Sequence, residues 1–377
     1  MPPVRRPREV AVLIDSLSAG GAERMAVETA GALDPERYVP HLVATRSGGE
    51  LASVAADRGI KVTILGRKHA IAPRELAQAL AIVRGSDLVH AHLWGSGMWG
   101  ALLARLARRP LLAHVQRFDA DVSRGWLPGY RYWIAPSAHK LVCVSEEIST
   151  AFAQAGVPRR KLAVVPNGVL LGAALTRGDA RAELGLSGDA LVIGMVARLR
   201  PEKRHDLALR ALAILRDRGH ELTLCVVGDG REEATLRHLA EELALGSSVQ
   251  WAGPVASAGR IVHAFDALLL SSEIEGMPLA VLEALVEGVP VVATPVDALP
   301  ALLANGGGVL AANVSAEAIA DAIASLRLPT VESDHSTADR ARQRFGMESV
   351  TRQLERLYDE ALGIGTVEIP VHPQPGI

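Results

Sequence analysis

Short apolar runs alternate with helical segments twice along this chain, and that alternation constrains the fold more than any other feature. Residues 10–15, 39–43, 61–65, 88–91, 111–115, 141–144 and 162–165 read as strands. Between them, 22–33, 74–83, 97–106 and 146–155 read as amphipathic or alanine-rich helices. Such alternation predicts a parallel sheet covered by helices on both faces. The pattern breaks at Pro166-Asn167-Gly168-Val169, a turn-forming cluster. It resumes with strands at 191–196, 222–227, 249–251, 267–270 and 291–294, and with helices at 204–216, 232–243 and 278–286. Two doubly wound, Rossmann-like α/β domains follow, 1–170 and 171–346, facing a central cleft. Ligands in such sheets bind at the carboxyl ends of the strands. After Thr294 the pattern loosens, giving helices near 317–326 and 347–362. The tail 363–377, with three prolines, is expected to be loosely ordered.

Composition removes several function classes. A net charge of −2 disfavours nucleic acid as the main partner. Cys143 and Cys225 each lie in an apolar strand-like run and read as buried thiols of a cytosolic protein. No run approaches the roughly 18 apolar residues of a membrane span, and the N-terminal arginines precede no apolar signal core. The expectation is a cytoplasmic protein.

The stretch from Ser272 to Thr294 carries the chemistry. Glu275 and Glu283 stand eight residues apart, the first beside Gly276 and the second inside an apolar helix that Pro278 opens and Gly288 and Pro290 end. A carboxylate buried there needs a partner, either an arginine or a helix start, or a pair of ligand hydroxyls. Free N–H groups at the helix start form an anion site. Glu275-Gly276-Met277-Pro278-Leu279, then Glu283-Ala284, then Gly288-Val289-Pro290-Val291-Val292-Ala293-Thr294, resembles the signature of the large retaining glycosyltransferase family 4, which has the GT-B fold. The resemblance implies that Glu283 holds the ribose hydroxyls of a nucleotide-diphosphate sugar, UDP- or GDP-linked, and that Glu275 contacts the donor sugar. It assigns the N–H groups from Gly276 through Met277 and Pro278 to Leu279 to sugar and phosphate oxygens. It also implies that the helix at 347–362 crosses back to the first domain.

Further residues fall into place beside that signature. Arg198 and Lys203 flank Pro201 at the end of a strand, so both cations can reach one anion above the next helix. In the resembling family an arginine and a lysine at these positions clamp the donor diphosphate, which makes Arg198, Lys203 and Glu275 the candidate catalytic residues. Gly20 and Gly21 let a ligand approach the first strand's end, and Gly-Gly-Ala-Glu-Arg resembles the family's loop against that diphosphate. Val255 resembles a position whose backbone meets the base. There is no Gly-x-Gly-x-x-Gly for a nicotinamide cofactor. His90, His92 and His114 read as core histidines, scattered and without the Cys or Asp spacing of a metal site. The family often has a histidine where Gln116 stands, with His114 two residues earlier. Val296-Asp297-Ala298 likewise replaces a family Gly-Gly.

The reading is a retaining, metal-independent transferase that moves a sugar to an acceptor hydroxyl, with no cofactor beyond the donor co-substrate. A sugar-phosphate synthase or phosphorylase on the same fold, and a non-catalytic nucleotide-sugar binder, are the alternatives. Residues 1–170 hold 22 Lys+Arg against 14 Asp+Glu, and the remainder 18 against 28. A basic first domain suits a lipid-linked or otherwise anionic acceptor and a peripheral contact with an anionic membrane. A soluble natural product or metabolite is the competing acceptor.

Overall fold

In strand β1 (Arg8–Ser16), Val10, Val12 and Ile14 enter one core while Ala11 and Leu13 enter another, and none of the five is more than 2% exposed. Two-sided burial is what a central parallel strand requires. The computed structural model describes residues 6–69, 72–118, 125–172, 174–186, 190–255, 258–326 and 335–364, so the predicted tail beyond Ile364 lies outside the described residues.

The first sheet contains β1, β2 (Tyr38–Ser47), β3 (Lys61–Ile64), β4 (Leu88–His92), β5 (Leu111–Val115), β6 (Lys140–Cys143) and β7 (Leu162–Val164). All pairs are parallel, in the order β3-β2-β1-β4-β5-β6-β7. Connecting helices are α1 (Gly21–Ala32), α2 (Glu50–Asp57), α3 (Pro73–Gly85), α4 (Leu93–Ala107) and α5 (Glu146–Gln154). The second sheet runs β10-β9-β8-β11-β12-β13, with β8 (Val192–Val196), β9 (Thr223–Val227), β10 (Val249–Gly253), β11 (Ala267–Leu270), β12 (Val291–Ala293) and β13 (Gly308–Leu310). Its helices include α6 (Arg177–Glu183), α7 (His205–Asp217), α8 (Glu233–Glu242), α9 (Leu279–Glu287), α10 (Ala316–Ser325) and α11 (His335–Phe345). Strand order reverses between β1 and β4 and again between β8 and β11. Those two switch points are where open α/β sheets take ligands.

Helix α12 (Met347–Leu362) lies on the first sheet, where Val350, Leu354 and Tyr358 join the core of Val10, Val12 and Ile14. Arg37 anchors it through Glu355 at 3.1 Å and Asp359 at 2.7 Å, and the Tyr38 hydroxyl donates to Asp359 at 2.6 Å. The two passages between sheets run together. Val169 N–H donates to the Phe345 carbonyl and Met347 N–H to the Val169 carbonyl, each at 2.8 Å.

Two features differ from expectation. Pro278 caps α9 rather than opening it, because its ψ of 122° is extended, so the helix begins at Leu279. Gly288 ends it, as the sequence predicts, with φ 74°, a left-handed conformation that glycine adopts at low cost. Strand β13 and helices α2, α6 and α11 occupy stretches with no clear period. Both cysteines are buried, and burial pushes their thiols up to about 12. No helix of the described residues is long and apolar enough to cross a membrane.

Candidate active site

The β8/β11 switch point presents the loops after those strands. Pro201–Lys203 form a single 3₁₀ turn, which aims Lys203 back across the strand ends. Its Nζ lies 2.5 Å from Glu275 Oε1, and the Ser272 hydroxyl donates to the same oxygen at 2.6 Å. Glu275 is 8% exposed, a burial that a carboxylate tolerates only when paired. Asp297 accepts from the Glu275 N–H at 2.5 Å. That residue stands where the resembling family has glycine, and its φ of 47° is the left-handed backbone that glycine would favour. Arg198 is half-buried and reaches across to the first domain, donating to the Ala19 carbonyl. Thus Lys203 is joined to Glu275, and Arg198 to the other domain, where the sequence led us to expect the two cations on one anion. Beside Arg198 a cavity of about 530 Å³ opens between Ser18, Ala19 and Glu50 of the first domain and Arg200, Asp229 and Arg231 of the second. Arg200 and Arg231 had no assigned role in the sequence, since arginines in polar loops carry no distinguishing pattern.

The signature loop meets the first domain at close range. A Cβ on Gly276 would come within 1.8 Å of the Gln116 carbonyl oxygen, so only glycine fits that approach. Asn167, in the turn that separates the domains, donates its side-chain amide to the Met277 carbonyl at 2.9 Å and its N–H to the Met277 sulfur at 3.3 Å. Gln116 and Asn167 exchange amide hydrogen bonds at 3.1 and 3.2 Å. The Met277 carbonyl and the Gly276 face are therefore engaged by the first domain. Leu279 faces it too, its Cδ1 3.8 Å from where a Cβ on Gly21 would stand. Gly20 caps α1 in extended conformation (φ −109°, ψ 156°). Val255 stands just past β10, half-buried against the core.

Glu283 has found an arginine. Arg24 Nη2 lies 2.8 Å from Glu283 Oε1, and Arg24 Nε donates to Glu28 at 2.6 Å. Burial pushes the Glu283 carboxyl above its usual range, against the pull of Arg24 and the Gly259 N–H.

The histidines correct the expectation that they are scattered. His90 and His92 share one face of β4, and His92 is the register partner of His114 on β5. Ring nitrogens, one from each, lie within 4.8 Å of one another. The rings stack, with centroids 4.2 to 5.4 Å apart and His114 only 19° and 24° from the planes of the other two. In-plane lone pairs of near-parallel rings run side by side, whereas zinc needs nitrogens converging at about 2.0–2.1 Å. The chain of bonds is Tyr358 hydroxyl to His90 Nδ1 at 2.9 Å, then His90 Nε2 to His114 Nδ1 at 3.3 Å. Burial pushes all three down, His114 to about 4, so the stack is neutral near pH 7. On the other side of the β1/β4 switch point, Asp15 accepts from Thr45 at 2.8 Å, Ser96 at 2.9 Å and Arg67 at 3.3 Å. This cluster had no sequence signal, because its members come from four separate segments. Two arginines of the basic N-terminal run, Arg6 and Arg8, pair with Asp87 at 3.3 and 3.8 Å.

Two facing doubly wound domains with their loops meeting in a cleft define the class as a GT-B glycosyltransferase fold. The architecture superposes on Anabaena HepE in complex with UDP and glucose, with a TM-score of 0.81 at 23% identity, covering 94% of this chain and 100% of that one. Sucrose-phosphate synthase from Thermosynechococcus elongatus superposes with a TM-score of 0.73 at 19% identity, covering 94% and 99%. Residues 19–171 match the family described as Glycosyltransferase Family 4, and 176–344 match Glycosyl transferases group 1. D-inositol 3-phosphate glycosyltransferase of Actinosynnema mirum is 31% identical over 353 residues, 82% of this chain and 84% of the relative. An Escherichia coli UDP-Gal:alpha-D-GlcNAc-diphosphoundecaprenol alpha-1,3-galactosyltransferase is 28% identical over 233 residues, 58% of this chain and 60% of the relative. The chain belongs to glycosyltransferase family 4 and is a nucleotide-sugar-dependent glycosyltransferase.

Proposed function

We propose that this enzyme transfers a sugar with retention of configuration, without a metal ion, from a UDP- or GDP-linked donor to the hydroxyl of an anionic acceptor. The observation that carries the reading is the Lys203–Glu275–Ser272 group beside the Arg198 cavity, at the switch point of the second sheet. In the reaction, the bond from the sugar's anomeric carbon to the diphosphate oxygen breaks. A bond to the acceptor oxygen forms on the same face, and the acceptor proton passes to the leaving phosphate. Negative charge grows on that phosphate, and preorganised cations there do the largest part of the catalytic work. Arg198 and Lys203 supply them in place of a metal. An incoming diphosphate draws Lys203 partly from Glu275 and leaves that carboxylate to accept from a donor-sugar hydroxyl. Glu283 receives the ribose. Gln116, tied to Asn167, is a neutral amide too weakly basic to take the acceptor's proton, which suits a mechanism in which the leaving phosphate is the base.

The acceptor class follows from charge and from the relatives' names. One acts on an inositol 3-phosphate and another on a diphosphoundecaprenol-linked sugar. The excess of basic residues in the first domain favours a phosphorylated acceptor, either a small sugar phosphate or a lipid-linked one at a membrane surface. Release of nucleoside diphosphate is the direct assay, run with a chelator and a panel of UDP- and GDP-sugars against neutral and phosphorylated acceptors. Release that persists in the chelator and needs a phosphorylated acceptor agrees with the proposal. Loss restored by Mg²⁺ contradicts the metal-free mechanism, and efficient transfer to a neutral acceptor alone contradicts the acceptor class.

A further inference from the structure

Arg24 belongs to the first domain, yet it grips the most deeply buried carboxylate of the second. Its position follows from local geometry. At Gly20 and Gly21 the start of α1 lies close to the start of α9, with Leu279 facing Gly21. Arg24 follows Gly21 by three residues and Glu283 follows Leu279 by four, spacings that stay on one helix face. The two side chains therefore meet one turn in from there. Glu28, four residues after Arg24, takes the Nε donor at 2.6 Å and fixes the guanidinium's direction, while Nη2 points at Glu283 Oε1, 2.8 Å away. Side-chain exposures of 20% for Arg24 and 2% for Glu283 mean that the pair is shielded from water and little screened. The Gly259 N–H donates to the same carboxylate from within its own domain.

We propose that Arg24 is a positioning residue for donor binding: it reaches across the cleft to hold Glu283 ionised and oriented, and so couples closure of the domains to capture of the donor. The inference rests on the reading that Glu283 receives the ribose. A carboxylate accepts hydrogen bonds on both oxygens and from several directions, so an arginine on Oε1 leaves Glu283 able to receive hydroxyls. Without the guanidinium, burial favours the protonated acid. A carboxylic acid is the weaker acceptor, and a charge-assisted bond to the ribose is then lost. Opening of the domains withdraws Arg24, so the donor site is at full strength only when the cleft is closed.

The test compares wild type with Arg24→Met, Arg24→Lys, Glu283→Gln and the Arg24→Met/Glu283→Gln pair. Calorimetry with UDP and GDP gives nucleotide affinity, and initial rates give donor KM and kcat. Expected for Arg24→Met is a 10- to 100-fold rise in nucleotide Kd and donor KM with kcat changed by less than about threefold, partly rescued in Arg24→Lys. The double variant is expected to bind no worse than Glu283→Gln alone, because both substitutions disable one carboxylate. Wild-type affinity in Arg24→Met, alongside weak binding by Glu283→Gln, overturns the role of Arg24 and leaves the ribose reading standing. Independent, multiplying losses in the double variant also overturn it. Wild-type affinity in Glu283→Gln overturns the ribose reading, and this inference with it.

Discussion

On the second-domain wall of the cleft the working side chains come from two short stretches, Arg198 to Lys203 and Ser272 to Glu283. In the first domain the polar groups are gathered from far apart: Asp15 from β1, Thr45 from β2, Arg67 from the loop after β3, Asn167 from the crossing and, buried behind the wall, His90 and His92 from β4 and His114 from β5. The chemistry differs in the same way. The second wall is charged, with Lys203 on Glu275 and Arg198 beside an open cavity. The first wall, at the histidines behind it, is neutral and tightly stacked. Strand ends followed by helix starts deliver anion-binding groups within a few residues of sequence, whereas a cross-strand cluster exists only once the register is set.

The sharpest way to break this comparison is to remove the second wall's cations. Arg198→Ala or Lys203→Ala is expected to lower turnover about 100- to 1,000-fold, as loss of one preorganised donor commonly does. The thermal midpoint should stay near wild type in Arg198→Ala, because Arg198 is half-buried and bonds to a loop carbonyl, and should fall in Lys203→Ala, which leaves the buried Glu275 carboxylate without its cation. Near-wild-type turnover in the double variant would remove the diphosphate clamp and make the two walls equivalent.

Acid should act on the first wall instead. The unfolded chain's histidines titrate near 6.5, while folded His114 titrates at about 4 and His90 and His92 are lowered as well. As pH falls through that window the unfolded state takes up protons that the folded state refuses, so stability drops. His114 alone accounts for about 3 kcal/mol between pH 7 and 4. Urea unfolding at pH 7, 6, 5 and 4 reads this, with His114→Thr giving a shallower profile. A flat profile in the wild type would show that the stack is already charged or open.

The same contrast explains what is legible in the sequence alone. The parallel sheets could be read because runs such as Ala267–Leu270 and Val291–Ala293 are apolar throughout and bounded by turns. Helix α2 escaped notice because it is only 8 residues long and Ala55 is its sole fully buried residue, so its apolar stripe is short. Strand β13 begins on the third of three consecutive glycines and is only half-buried, which hides it as a loop. Pro278 misled by one residue, since proline favours the first helical position and here stands one residue before it. Within the signature, the sequence left Glu283 with either an arginine or a ligand. Arg24 was visible in Gly-Gly-Ala-Glu-Arg, but nothing in one sequence says that α1 abuts α9. The histidine stack was hidden for a related reason. Two residues apart on one strand is readable, but the third member needed the β4–β5 register.

The central claim is that the two walls together transfer a sugar with retention, and the product's anomeric configuration tests it most directly. Proton NMR of the glycoside formed from an α-linked nucleotide sugar, followed from the first turnovers, reads the anomeric coupling before any rearrangement. The account predicts an α-linked product formed in step with nucleoside diphosphate. A β-linked product would contradict it.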